Sequence, residues 1–393
     1  MRKNIITGVS LVALSAGMAQ AGGFELQTLD TSMMYADGNQ ASISYARIDA
    51  SIDGVNSSTG ASASSKKQVV KDQTVTNFSG KFDVGESLSF GVATYRSGSI
   101  QLSGGNEAPE PVIGLVNGVP TLVGMTAGGN LAPTGDVDLD TTALMVNYSL
   151  NENVSLIGGF TQNTLKDGNV TTLAGSYDVT GASGQGYVIG AAYSIPEIAL
   201  RAEVIYQPKA TIDTKASYVG AGSAAGVVNP ASKSQLSLPD TYAVSFQTGI
   251  AADTLLTASY RKANWSKAQI SVIANPADLT SGANINTEFE DSEAFSVGIG
   301  RKFSEWLSGS ITYSKEEGSS KPATSLFTVS NGSEAISVGL QYKRDNMTIS
   351  GGISQRNVGD VTVNATLAPG LVRQMTYTGN SVTAMGLKIA FAF

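Results

Sequence analysis

Val382-Thr383-Ala384-Met385-Gly386-Leu387-Lys388-Ile389-Ala390-Phe391-Ala392-Phe393 repeats with a period of two. Successive side chains of a β-strand point to opposite faces, so Thr383, Met385, Leu387, Ile389, Phe391 and Phe393 share one side. Ala384, Gly386, Lys388, Ala390 and Ala392 share the other. One face is large and apolar; the other is small, with a single lysine. In a soluble sheet the large face meets a core, and the opposite face usually carries several hydroxyls and charges. A polar face this small suits a strand with lipid on one side and a lumen on the other. A buried last strand of a soluble β-sandwich is the alternative.

The same alternation recurs upstream, in runs at 41–52, 69–83, 86–98, 138–150, 154–165, 187–195 and 198–210. It continues at 235–250, 254–270, 286–303, 306–317, 333–344 and 347–358, and the run at 381–393 makes fourteen. Joins at 84–85, 151–153, 196–197, 251–253, 304–305 and 345–346 are short; those at 53–68, 99–137, 166–186, 211–234, 271–285, 318–332 and 359–380 are long. Regular alternation of short and long joins, with an even strand number, is what a bacterial membrane barrel shows, whereas a sandwich has no reason for it. The expected fold is all-β: a transmembrane antiparallel β-barrel of about 14 strands, plugged by a short N-terminal hatch.

At the other end, Arg2 and Lys3 precede an apolar run from Ile5 to Met18 and an Ala19-Gln20-Ala21 site. This reads as a cleavable signal peptide over 1–21, too short to span a bilayer. The expected division is a signal at 1–21, a hatch at 22–40 and the barrel at 41–393. The 393 residues contain no cysteine and no histidine. That removes disulfides, thiolate metal sites, the usual general base and nearly all zinc chemistry, so neither an enzyme nor a cofactor is expected. A net charge of −7 argues against nucleic acid as a partner. Charged residues make up only 15% of the chain, with 44 glycines; a membrane barrel and a Gly-rich secreted β-protein both fit.

Several stretches resemble the FadL/TodX family of outer-membrane transporters for long-chain fatty acids and other hydrophobic compounds. They are Leu238-Pro239-Asp240, Ala251-Ala252-Asp253, Trp265-Ser266-Lys267, Phe289-Glu290-Asp291-Ser292 running to Gly298-Ile299-Gly300, and Gly23-Phe24-Glu25-Leu26 at the start of the hatch. The family's hatch usually ends in Asn-Pro-Ala, where this chain has Asn39-Gln40-Ala41, and the hatch here is shorter. Asn229-Pro230-Ala231 falls in a long join and is read as coincidence. The C-terminal Phe393 likewise resembles the signal that outer-membrane barrels present to their assembly machinery. The resemblance implies passive transport across the outer membrane of a Gram-negative bacterium. Ligand would be caught by an apolar outer groove, pass to a lumenal pocket near the hatch, and leave through a gap in the wall. The expected partners are a long-chain fatty acid or other hydrophobic molecule, membrane lipid with lipopolysaccharide, and the assembly machinery, with the chain a monomer. A general or ion-selective pore and a structural or adhesive surface barrel are the alternatives.

Candidate ligand contacts follow. The join over 109–133 holds Val112, Ile113, Leu115, Val116, Val119, Leu122, Val123 and Met125, with no charge after Glu110. Such a cluster on a loop marks a binding or membrane surface, here either an acyl-chain groove with helical turns or a cap over the barrel mouth. Phe24, Leu26 and Leu29 of the hatch would line an acyl pocket, wedge the plug, or do both. A carboxylate wants a cation. Arg201, Arg261, Lys302, Lys343, Arg356 and Lys388 fall on the lumen face, with Arg261 and Arg356 the first choices. Tyr148, Tyr193, Tyr206, Tyr242, Tyr313, Tyr342 and Phe393 read as interfacial girdles. Asp136, Asp138 and Asp140 lack calcium-loop spacing and read as a solvated strand mouth.

Overall fold

The alternating runs form strands, and the strands close into a ring. The computed structural model describes residues 24, 26–58, 64–104, 110–116, 119–126, 132–172, 175–220, 228–272, 285–368 and 371–393; the expected signal peptide lies outside them. The barrel strands are β1 (Gln40–Ser51), β2 (Gln73–Val84), β3 (Leu88–Ser103), β4 (Thr134–Ser149), β5 (Val154–Leu165), β6 (Ala182–Ile195) and β7 (Leu200–Gln207). They continue as β8 (Thr241–Ala251), β9 (Thr254–Ala263), β10 (Ser292–Lys302), β11 (Leu307–Glu316), β12 (Ser333–Arg344), β13 (Met347–Val358) and β14 (Ser381–Ala392). Each pairs antiparallel with the next, and β14 pairs with β1 from Gln40↔Ala392 to Ser51↔Ser381, closing a ring of 14. Ring closure leaves no terminal strand edge to lipid, which cannot hydrogen-bond a free backbone group.

Side chains divide as the period of two dictates. On β14, Met385, Leu387 and Phe391 are exposed while Ala384 and Ala390 are buried. Register aligns the large residues from strand to strand. Ile43 lies opposite both Ile389 and Phe78, Phe160 opposite Leu144 and Tyr187, Tyr260 opposite Val244 and Phe295, and Ile311 opposite Ile299 and Val338. The result is a continuous exposed apolar belt, far larger than the patch a water-soluble monomer carries. Tyr148, Tyr193, Trp306, Tyr342 and Phe393 sit beside the short turns, and Tyr187, Tyr206, Tyr242, Tyr260 and Phe295 sit further along the strands. Several rings touch: Tyr206 stacks on Tyr242 at 4.7 Å and Trp306 meets Tyr342 edge-on at 5.7 Å. Rows of aromatic rings bounding an apolar belt mark the two interfaces of a membrane barrel.

The short turns have matching chemistry. Asn151 Oδ1 accepts the amides of Asn153 and Val154 at 2.9 and 2.8 Å, an Asx turn. The opposite end departs from expectation. The long joins are built of β-hairpins: Gly168–Thr172 with Gly175–Val179, Ala210–Gly220 with Val228–Leu238, and Glu110–Val116 with Val119–Thr126. A four-stranded sheet joins Gly54–Ser58, Ser64–Lys66, Val361–Ala368 and Leu371–Tyr377. The helical turns expected over 109–133 are therefore replaced by a two-stranded sheet, and the Asn229-Pro230-Ala231 triplet lies within a strand. Four barrel runs are also shorter than expected. β7 stops at Gln207 and β8 begins at Thr241, with Pro208 and Pro239, which cannot donate to a ladder, at the two breaks. β9 stops at Ala263 before the 3₁₀ turn Trp265–Lys267, and β10 starts only at Ser292.

Ile189 lies in the belt between the rings of Tyr187 and Tyr193 and is 54% exposed. The Ile189→Arg variant is expected to lose about 2–4 kcal/mol of stability in vesicles, because a cation there faces hydrocarbon. Reversible denaturant unfolding measures it; an unchanged midpoint would show that this face does not meet lipid.

Candidate functional site

Small residues on the inner face leave room for a strap of chain across the lumen. Gly91 of β3 lies against the Met34 side chain and Gly98 against the Phe24 ring, so a Cβ at either position would displace the strap. Met33 and Met34 of the 3₁₀ turn Ser32–Tyr35 pack on Ala93, Ala143, Met145, Ile157, Val188 and Ile205 of the inner wall. Two buried charges pin the strap to nearly opposite walls. On β7, Glu203 accepts hydrogen bonds from Thr31 Oγ1 at 2.9 Å, Tyr35 hydroxyl at 2.7 Å and Ser245 Oγ at 3.1 Å. The Arg201 guanidinium lies 4.2 Å over the Tyr35 ring. On β2, Lys81 donates to the Ala36 carbonyl at 2.5 Å and pairs with Asp83 at 2.8 Å. Lys388 of β14 approaches Asp30 at 4.0 Å.

At its N-terminal end the strap becomes part of the wall. β3 carries an extra residue between Arg96 and Gly98, and its pairing with β2 ends at Phe78↔Thr94. Pairing across this seam resumes only where Lys71 N meets Gln101 O and Ser103 N meets Val69 O, each at 2.9 Å. Between these points the edge of β3 is taken by the strap: Leu26 N donates to Ser97 O at 3.0 Å and Ser99 N to Phe24 O at 2.8 Å. Residues Gln73 to Asn77 of β2 keep only their partners on β1. The wall thus has a gap in its ladder between β2 and β3, filled by Phe24 and Leu26 of the strap.

Two cavities lie in the lumen. The outer one, on the side of the long connections, is bounded chiefly by apolar side chains such as Ile100, Val137, Leu165, Val170, Leu236 and Ile270, with Thr214, Ser234, Gln235, Ser271 and Thr287 also on its border. Tyr177 also borders it, and burial, with Tyr218 adjacent, raises its hydroxyl well above the ordinary value, so it stays uncharged. The inner cavity offers about 60 Å³ of room for water-sized molecules, with polar and apolar surface in nearly equal parts. Gln27, Thr28 and Leu29 of the strap form one side; Ser97, Thr141, Thr161, Asn163, Arg261 and Trp265 belong to the walls. The motif residues converge here. Trp265 packs edge-to-face on Phe24 at 6.2 Å and on Phe289 at 5.6 Å, Asn264 Nδ2 donates to Asp240 at 2.6 Å, and the Ser266 amide donates to Asp291 at 2.8 Å.

The sequence-derived candidates distribute unevenly. Arg261 and Leu29 border the inner cavity. Phe24 and Leu26 are buried in the packing around it. Arg356 borders neither cavity; its guanidinium donates to Ser333 Oγ at 2.6 Å in the wall near Glu316. The side chains of Val112, Ile113, Leu115, Val116, Leu122, Val123 and Met125 lie outside the described part of the structure, which gives their backbone as the hairpin above. Asp138 and Asp140 both bind Arg96, at 2.5 Å each, and Lys71 approaches Asp136 at 3.7 Å. Sequence reading passed over the neutral wall residues Thr141, Thr161 and Asn163, which carry no charge or motif to single them out.

No protein-family model matches the chain, and no curated protein matches it. Solved structures do. A FadL homologue of Pseudomonas aeruginosa superposes with a TM-score of 0.70 at 13% identity, over 96% of this chain and 98% of that one. The toluene transporter TodX of Pseudomonas putida gives 0.59 at 12% identity, over 95% and 96%. The toluene transporter TbuX of Ralstonia pickettii gives 0.57 at 11%, over 96% and 97%. The fold implied by the FadL/TodX resemblance is the fold observed.

Glu203 holds the strap, and its removal strands the hydroxyls of Thr31 and Tyr35 at a cost of about 1–3 kcal/mol each. Glu203→Leu is expected to loosen the strap and raise ion conductance in planar bilayers, with the barrel intact by circular dichroism. A conductance equal to the parent's would show that other contacts suffice to hold it.

Proposed function

We propose that this chain is a passive transporter of hydrophobic small molecules across the outer membrane of a Gram-negative bacterium. One observation carries the reading: inside a lipid-belted barrel, an apolar cavity at one end and a second cavity above an N-terminal strap stand in place of an open channel. Hydrophobic molecules, a class including the long-chain fatty acids expected from the sequence and the toluene carried by the structural neighbours, leave water for the outer cavity because its border is chiefly apolar. They pass to the inner cavity and leave through the β2–β3 gap into the bilayer. No covalent step is involved, and no cofactor takes part. Residues 1–21 direct export and residues 22–40 act as the hatch. The long connections face the lipopolysaccharide layer, Phe393 is read by the assembly machinery, and the barrel works as a monomer. A plain ion pore needs an unobstructed lumen, and the strap, pinned by Glu203 and Lys81, speaks against it.

Against β2 the register of β3 is the same on both sides of the gap, Phe78↔Thr94 and Val70↔Leu102, which places Thr76 in line with Arg96, and the chain has no cysteine of its own, so the Thr76→Cys, Arg96→Cys pair would staple the gap on oxidation. In proteoliposomes the oxidised double variant is expected to lose uptake of a hydrophobic tracer and to regain it on reduction. Unchanged uptake would move the exit elsewhere. If the parent protein neither binds nor passes any hydrophobic tracer yet conducts ions steadily, the transporter reading fails.

A further inference from the structure

The two cavities differ in a way the barrel does not require. The outer one is bordered chiefly by aliphatic and aromatic side chains, with Thr214, Ser234, Gln235, Ser271 and Thr287 among them, whereas the inner one is bordered by many neutral polar side chains and a single cation, Arg261. Its wall carries a continuous hydrogen-bonded ladder across three strands. Ser97 Oγ and Thr141 Oγ1 share a bond of 2.7 Å, Thr141 Oγ1 donates to Asn163 Oδ1 at 2.7 Å, and Asn163 Nδ2 donates to Thr161 Oγ1 at 3.4 Å. Thr141, Thr161 and Asn163 are all buried, so this polarity is not a solvated rim. Gly186 opposite keeps the ladder clear, since a Cβ there would come within 2.6 Å of Thr161 Oγ1.

Two further buried polar atoms, on residues bordering the same cavity, have no partner among the described residues. Gln27 Oε1 is an acceptor and Trp265 Nε1 is a donor. Buried polar groups are nearly always paired, so each such exception calls for a reason. A hydroxyl both donates and accepts, a carboxylate only accepts, and a methyl group does neither. Arg261 is the one cation among the lining residues, and it already has a partner within the protein.

We propose that the inner cavity selects hydrophobic molecules bearing a neutral hydroxyl, phenols and alcohols, over both plain hydrocarbons and carboxylates. The apolar body suits the outer cavity, and the hydroxyl joins the Ser97–Thr141–Asn163–Thr161 ladder in the inner one. This selectivity rests on the transport reading above. Discrimination is strong where a site is built to bond a hydroxyl, because an analogue without it leaves buried groups unpaired.

Two matched sets of ligands test it: p-cresol, p-xylene and p-toluate, and octan-1-ol, octane and octanoate. Each is equilibrated with the detergent-purified full chain, and retention is read against protein-free micelles. The hydroxyl compound of each set is expected to be held about tenfold or more tightly than its two counterparts. In the Thr161→Val, Asn163→Leu double variant, with the barrel intact by circular dichroism, that preference is expected to vanish. A hydrocarbon held as tightly as its hydroxyl counterpart, or a carboxylate held better, overturns the selectivity and leaves transport standing. A hydroxyl preference that survives the double variant overturns its assignment to this ladder. If none of the six is retained, the transport reading falls with it.

Discussion

Everything in this molecule depends on the ladder between β14 and β1. A chain facing hydrocarbon has no water to take up an unpaired N–H or C=O, and each buried orphan costs several kcal/mol. Closure from Gln40↔Ala392 to Ser51↔Ser381 removes the last free edges, and the belt of large side chains is tolerable only because the backbone behind it is satisfied. The same closure forces alternate residues inward. A lumen lined by the inner half of every strand must then be filled with water, with side chains or with chain. Here Gly91, Gly98 and small residues such as Ala93 and Ala143 leave the space, and the N-terminal strap occupies it.

Holding that strap is an electrostatic matter as well as one of packing. Glu203 and Lys81 are both 6% exposed, so neither is solvated by bulk water, and each is satisfied jointly by the strap and by a wall neighbour, Ser245 for Glu203 and Asp83 for Lys81. Breaking one side of such a buried arrangement leaves an uncompensated charge, a larger loss than the arrangement's own net gain. Strap and wall therefore stabilise one another, and the lumen is closed by specific partners as well as by methionine contacts.

How much of this was legible beforehand follows from where the two-residue period had something to write with. In the belt, lipid demands large apolar side chains on one face, so β5, β12 and β13 could be read to their terminal residues and every short turn was found. Beyond the belt both faces are Ser, Thr, Asn and Gly, as in Gly168–Val179, and the alternation carries no contrast even though the backbone still pairs. The long connections therefore read as loops. Arg261 could be found because a lone cation on a lumen face is conspicuous, and Arg356 was equally conspicuous, yet its guanidinium is spent on Ser333 in the wall. Thr141, Thr161 and Asn163 gave no sign, because a buried neutral ladder looks in sequence like the ordinary small face of a strand.

At the β2–β3 seam a barrel strand parts from its sequence neighbour for several residues and then rejoins it, and the strap fills the break. Ser97 is an extra residue of β3 against β4 alone; against β2 the register is the same on both sides of the break, Phe78↔Thr94 and Val70↔Leu102, so the strands separate without slipping and leave the edge of β3 free of β2. Here Phe24 and Leu26 pair with it and also anchor the strap against Trp265 and the core. The element that blocks the lumen is thus the element that satisfies the break in the wall. Displacing Phe24 and Leu26 from β3 would expose its edge and release the N-terminal anchor of the strap together. The wall gap and the anchorage of the strap thus depend on the same few backbone hydrogen bonds.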